Sequence, residues 1–214
     1  MCLYPRFIRN RKYIANKKNG GVVPPVPDIR VLTVPIGCQK CMECMRQKAR
    51  QWQARLSEEV RDQEHSWMVN LSFSDEALEE LSNRINFDED GIEIDEPVEG
   101  YELDNKIAKL AMRRFLERWR KKHGRSVKHW FVTEIGQSDW GTERLHMHGL
   151  MFTNELETIR DKWIYGRVHI GNYVNQGTVN YIVKYVFKTD PKHKYYTPVI
   201  LCSPGIGSGY MDRI

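Results

Sequence analysis

The 214-residue chain is 41% apolar and 29% charged, enough to bury one sizeable core and too apolar for compositional disorder. Its apolar runs are only a few residues long, so no segment reads as a bilayer span, and the opening Met1-Cys2-Leu3-Tyr4-Pro5-Arg6 lacks the apolar stretch of a secretory signal. The formal charge of +5 is unevenly spread: residues 1–66 carry +7, residues 67–105 carry −12 and residues 106–214 carry +10. Two basic blocks around an acidic one suit a polyanionic partner, and suit equally well helices with solvated lysine and arginine faces.

Along the chain, residues 1–37 mix basic clusters with Gly20-Gly21 and Pro24-Pro25-Val26-Pro27, the composition of turns and an extended arm. Residues 30–35 read as a short strand. Residues 42–63 lack glycine and proline, and Trp52, Leu56 and Val60 recur at helical spacing. Residues 66–73 alternate as a strand, after which Ser74 caps a short helix. The acidic stretch 88–104 reads as a surface loop. Residues 104–123 form a helix with Ile107, Leu110, Ala111, Phe115 and Trp119 on one face, stopped by Gly124. Residues 127–135 and 144–152 are two strands of an antiparallel hairpin with a fairly long turn. A short helix over 155–163, a strand over 167–170 and a helix over 178–187 follow, before a glycine-rich tail at 203–210. The expected class is α+β, an antiparallel sheet with helices packed mainly on one face. Residues 1–65 would form a basic arm, a cysteine cluster and a helix packed on the core; residues 66–214 would form the main domain, with 88–104 as its acidic insert.

His146-Met147-His148 lies in the second hairpin strand. Alternation sends both imidazoles to one face and Met147 to the other, so the pair is a ready divalent-metal clamp. Alone, it also suits two histidines on an exposed strand. Glu134, in the partner strand, reaches the same face in a suitable antiparallel register and would complete a donor set with open positions. In 181–188, Tyr181 and Tyr185 share one helix face, as do Lys184 and Lys188. A phenol titrates near pH ~10 and needs a metal and an ammonium to become a nucleophile; without them the helix is merely amphipathic. Cys38, Cys41 and Cys44 at x2 spacings, with Cys2 as the fourth ligand, read as a structural zinc site or as reduced thiols near a helix start. An iron–sulfur pattern would want cysteine at position 48, where Lys48 stands. Among the tryptophans, Trp52, Trp130 and Trp163 are most simply core, and Trp140, in the hairpin turn, is the one expected to touch DNA, with Arg144 beside it.

The order Glu134, His146-x-His148, Tyr181-x-x-Lys184-Tyr185-x-x-Lys188 resembles the HUH endonucleases, specifically the two-tyrosine rolling-circle replication initiators. Met1-Cys2-Leu3-Tyr4-Pro5, the 34–44 segment, Lys48-Ala49-Arg50-Gln51-Trp52 and Ser203-Pro204-Gly205-Ile206-Gly207 resemble the replication protein of gokushovirus-type microviruses. Proteins of that kind often continue past the point where this chain stops. The resemblance implies an RRM/palm-like fold with His146, His148 and Glu134 around Mg²⁺ or Mn²⁺. It implies tyrosine attack on a single-stranded DNA origin, presented as a stem-loop, with Lys184 and Lys188 assisting. It further implies a host helicase and DNA polymerase as partners, no membrane, and work in the cytoplasm of an infected bacterium. A relaxase or single-strand transposase shares this chemistry. A zinc-stabilised, non-catalytic nucleic-acid-binding protein is the reading from another class.

Overall fold

The computed structural model describes residues 2–88, 90–136, 143–171, 174–188 and 190–209. The chain divides into two compact units, Met1–Lys48 and Ala49–Ile214. In the first, strand β1 (Arg6–Arg9) pairs antiparallel with β2 (Thr33–Ile36), Arg6 opposite Ile36. The intervening chain is organised by side chains that cap 3₁₀ turns. Asn10, Asn16 and Asp28 each accept from a backbone N–H two residues on, offering a local partner where no ladder exists. The strand β1 lies in what the composition presented as an arm; its four residues are all exposed, so no apolar alternation marked it. Helix α1 (Met42–Asp62) starts in this unit and runs into the second.

The second unit is built on a five-stranded antiparallel sheet in the order β6-β3-β5-β4-β7. Its strands are β3 (Trp67–Ser72), β4 (Lys128–Ile135), β5 (Leu145–Phe152), β6 (Val168–Ile170) and β7 (Ile200–Cys202). The expected α+β class holds. Helices α2 (Asp75–Asn86), α3 (Gly100–His123) and α4 (Leu156–Lys162) cover one face. There Val69, Leu71, Phe131, Met147 and Met151 of the sheet bury against Leu81, Ile107, Ala111, Phe115 and Ile159. Fully buried Phe115 follows Ala111 and precedes Trp119 by one turn each, the periodicity that makes α3 a core helix. Ser74 caps α2 as its sequence foretold, its Oγ accepting from Ala77 N at 3.2 Å.

The opposite sheet face carries Trp130, in ring contact with Trp52 of α1 at 5.7 Å, and the segment that bears the paired tyrosines. That segment is α5 (Gln176–Val183), tightening into a 3₁₀ turn over Lys184–Val186. Asn175 and Thr178 form a reciprocal capping box at its start. Three boundaries depart from the sequence reading. The insert is shorter than expected because α3 begins at Gly100, supported by a Glu102–Lys106 pair at 3.2 Å. The last helix closes its final turn as 3₁₀ rather than α. The third departure is β7, which had no sequence signal: three residues between Pro198 and Pro204 are too few to display a period.

Candidate active site

In the β4–β5 ladder, Glu134 stands opposite His146 and Val132 opposite His148. Glu134, His146 and His148 therefore leave the same sheet face, while Met147 is wholly buried on the other. The hairpin register thus supplies the common face that the sequence required. His148 lies between two acceptors: Asn70 Oδ1 is 2.9 Å from Nδ1 and Glu134 Oε2 is 2.8 Å from Nε2. A ring held between two acceptors is imidazolium, and a cation at Nε2 would take the place of that proton. His146 donates through Nδ1 to the Arg144 carbonyl at 2.7 Å, which leaves Nε2 with its lone pair. Burial depresses the His146 pKa, only partly opposed by that carbonyl, so its neutral ligating form is favoured.

Glu134 accepts from Lys188 on its other oxygen. Burial pushes the carboxyl up, but the hydrogen bonds and charges of His148 and Lys188 outweigh it, and the net shift is downward. Tyr185 stacks flat on His148, ring centroids 4.1 Å apart and planes within 1°. Its hydroxyl donates to Tyr181 Oη at 2.7 Å. Lys184 Nζ lies 3.8 Å from the Tyr181 ring centroid, and Lys188 Nζ lies 5.2 Å from that of Tyr185. Burial, the Tyr181 hydrogen bond and the Glu134 charge all push the Tyr185 phenol upward. Two imidazoles, a carboxylate, two phenols and two ammoniums thus converge from β4, β5 and α5 with its 3₁₀ extension.

The donor types at Glu134, His146 and His148 fit a divalent cation, as nitrogen and oxygen ligands from one rigid face. Their ligand atoms do not close into a tight cage: among the described residues, only the cysteine group brings three or more such atoms within 4.8 Å of one another. Lys188 occupies the Glu134 oxygen that a cation would compete for.

Asn70 had escaped the sequence reading. It faces His148 across the β3–β5 ladder, and an asparagine 78 residues upstream offers no spacing to recognise. Arg144 pairs with Asp75 at 2.6 Å and lines a cleft of about 410 Å³ with Ser72, Ser74, His146 and Arg167. Arg167 was likewise unanticipated. Trp140 lies outside the described residues. A larger hollow of about 790 Å³ belongs to the first unit, where Arg11, Lys12, Lys17 and Lys18 line it, away from all of these groups in sequence.

Residues 96–190 match the family model of the replication-associated protein ORF2. The matched span covers a little under half of the chain and contains Glu134, both histidines of the pair, both tyrosines and both lysines. The match supports a replication initiator, and with it DNA as a partner. No curated protein and no solved structure matches the chain. Among the described residues, no helix is long and apolar enough to cross a membrane.

The second constellation is the cysteine cluster. Sulfurs of Cys2, Cys38, Cys41 and Cys44 all lie within 4.8 Å of one another, a four-thiol set able to hold a metal ion such as zinc. Backbone N–H groups of Cys38 and Tyr4 donate to Cys2 Sγ at 3.2 and 3.3 Å, and that of Cys41 donates to Cys38 Sγ at 3.2 Å. Such donors favour thiolate: the Leu3 and Cys44 amides draw the Cys41 thiol down to about 6. Cys44 goes the other way. The Gln39 amide lowers it, but burial and the three neighbouring sulfurs together push it up to about 12.

Proposed function

We propose that the chain is a rolling-circle replication initiator that nicks and rejoins single-stranded DNA at an origin through a 5′-phosphotyrosine intermediate. The observation that carries this reading is the contact between the two motifs: Tyr185 lies flat on His148 while its hydroxyl reaches Tyr181. The match to a replication-associated family over the same residues supports it.

Bound by His146, His148 and Glu134, Mg²⁺ or Mn²⁺ would draw electron density from the scissile phosphodiester. A tyrosine oxygen attacks phosphorus; an Oη–P bond forms as the P–O3′ bond breaks, and the phenolic proton ends on the departing 3′ oxygen. Lys184 and Lys188 offset the charge that develops on the phenol and on the pentavalent phosphate. One ester replaces another, so attack by a 3′-hydroxyl reverses the step without ATP. The second phenol gives the site a second nucleophile while the first still holds a DNA end. Asn70 keeps the His148 ring oriented. In this reading the free 3′-OH primes a host polymerase, a host helicase unwinds the duplex, and the setting is a bacterium infected by a microvirus-like phage. The cysteine cluster takes no part in the chemistry; it is a closed set of four thiolates holding structural Zn²⁺.

The test uses the full chain, Mn²⁺ and origin-bearing or randomised single-stranded oligonucleotides. The expected product is an SDS-resistant protein–DNA adduct that EDTA prevents and that the Tyr181→Phe, Tyr185→Phe double variant does not form. Adduct in the double variant would overturn the assignment. DNA binding that survives EDTA and leaves no adduct would make the protein a binder rather than a nuclease.

A further inference from the structure

We infer that the metal ion is the core of the first unit: residues 2–48 hold their fold only while the four sulfurs are metallated. The inference rests on the zinc reading of the cluster and is independent of the nicking chemistry.

Among the described residues of this unit a single one is buried, and it is Cys44, 5% exposed. Side chains that would ordinarily build a core stand in solvent: Leu3 is 64% exposed, Phe7 68% and Ile29 79%. Hydrophobic stabilisation scales with apolar surface removed from water, and here almost none is removed. The β1–β2 pair is a two-stranded sheet, a form that is marginal by itself in water. Chains of this size without a core depend on disulfides, metals or partners.

The sulfur geometry selects among those. Cys2 Sγ is 3.8 Å from Cys41 Sγ, and Cys38 Sγ is 4.0 Å from Cys44 Sγ. A disulfide needs ~2.05 Å. Four thiolates at ~2.3 Å from a tetrahedral zinc ion stand ~3.8 Å apart along each edge. The surrounding backbone is shaped to the same end. Gln39 adopts φ 65°, a left-handed conformation rare outside glycine, and the next two amides, Lys40 and Cys41, donate to Cys38 Sγ at 3.5 and 3.2 Å. At position 37 a side chain would collide with the cluster, because a Cβ on Gly37 would lie 2.8 Å from Cys44 Sγ. Coordination of Cys2 also closes the whole β1–β2 connection into a loop, as a cross-link would.

Zinc content of the purified full chain is measured by plasma emission, and hydrogen exchange is then compared before and after chelation and after zinc is restored. About one zinc ion per chain is expected. Chelation should accelerate exchange at Asn10, Cys38 and the β1–β2 amides by about tenfold or more, leave β3–β5 protected, and reverse when zinc returns. Cys44→Ser should reproduce the chelated state, and Cys202→Ser, outside the cluster, should retain zinc. A purified protein without metal would overturn the zinc reading itself. A zinc-loaded protein whose first unit keeps its protection after chelation would overturn the folding role alone.

Discussion

Tyr181 and Tyr185 are chemically the same residue in different surroundings. Tyr181 is 40% exposed and accepts a hydrogen bond from Tyr185, whereas Tyr185 is 6% exposed and donates it. A phenol that receives a hydrogen bond and has an ammonium within 3.8 Å of its ring is better prepared to carry negative charge than one that is buried and donating. Tyr181 is therefore expected to cleave first. With a single-origin oligonucleotide, Tyr181→Phe should lower adduct yield by about a hundredfold or more, against less than about tenfold for Tyr185→Phe. On a substrate with two origins, Tyr185→Phe should fail at the second cleavage. Equal loss of the first cleavage in both single variants would refute the order. The residues of this site were legible where period or spacing announced them: alternation placed His146 and His148 together, and helical spacing did so for Tyr181 and Tyr185. Glu134 was legible only once a hairpin was assumed. Asn70 and Arg167 were not, because their relation to the site comes from strand order, which no local pattern encodes.

At the scale of elements, long periodic segments such as α1, α3, β4 and β5 were readable to within a few residues, since burial repeats often enough to set a phase. Short edge strands were not, because β1 is exposed throughout and β7 has three residues. The glycine-rich tail shows what its motif accomplishes. Arg55 donates to the Ile206 carbonyl at 2.8 Å, and Gly207 N donates to Glu59 at 2.8 Å. Buried Glu59 in turn accepts from Lys128 at 2.5 Å, so one carboxylate ties the tail, α1 and β4 together. Gly207 has φ 67°, and a Cβ there would stand 2.5 Å from the Arg55 carbonyl oxygen. Gly207→Ala must pay for both the backbone and the collision. It is expected to destabilise the second unit by roughly 2–3 kcal/mol in urea unfolding at unchanged m. A loss below about 0.5 kcal/mol would mean that the tail is not clamped in solution.

On the scale of the whole molecule, charge is sorted along the chain. The acidic stretch is held to the second unit by Asn86, whose side chain both accepts from Val98 N and donates to its carbonyl, each at 2.9 Å. That pairing keeps the run of carboxylates in a defined place rather than free to cover basic surface. Arg167 and Arg144 line the cleft beside His146, and Arg144 is already neutralised in part by Asp75. A strand led to the tyrosines through this cleft would therefore meet Arg167 as its principal positive charge there. Each phosphate contact on single-stranded DNA contributes ~0.7 to the slope of log K against log salt. Arg167→Ala should weaken binding of oligonucleotides irrespective of sequence and flatten that slope by ~0.7, measured by fluorescence anisotropy across a salt series. The same change at Arg9, in the first unit, gives the comparison: both are exposed arginines, and only one lines the cleft. Equal slopes for Arg167→Ala and the parent protein would mean that DNA reaches the tyrosines by another path.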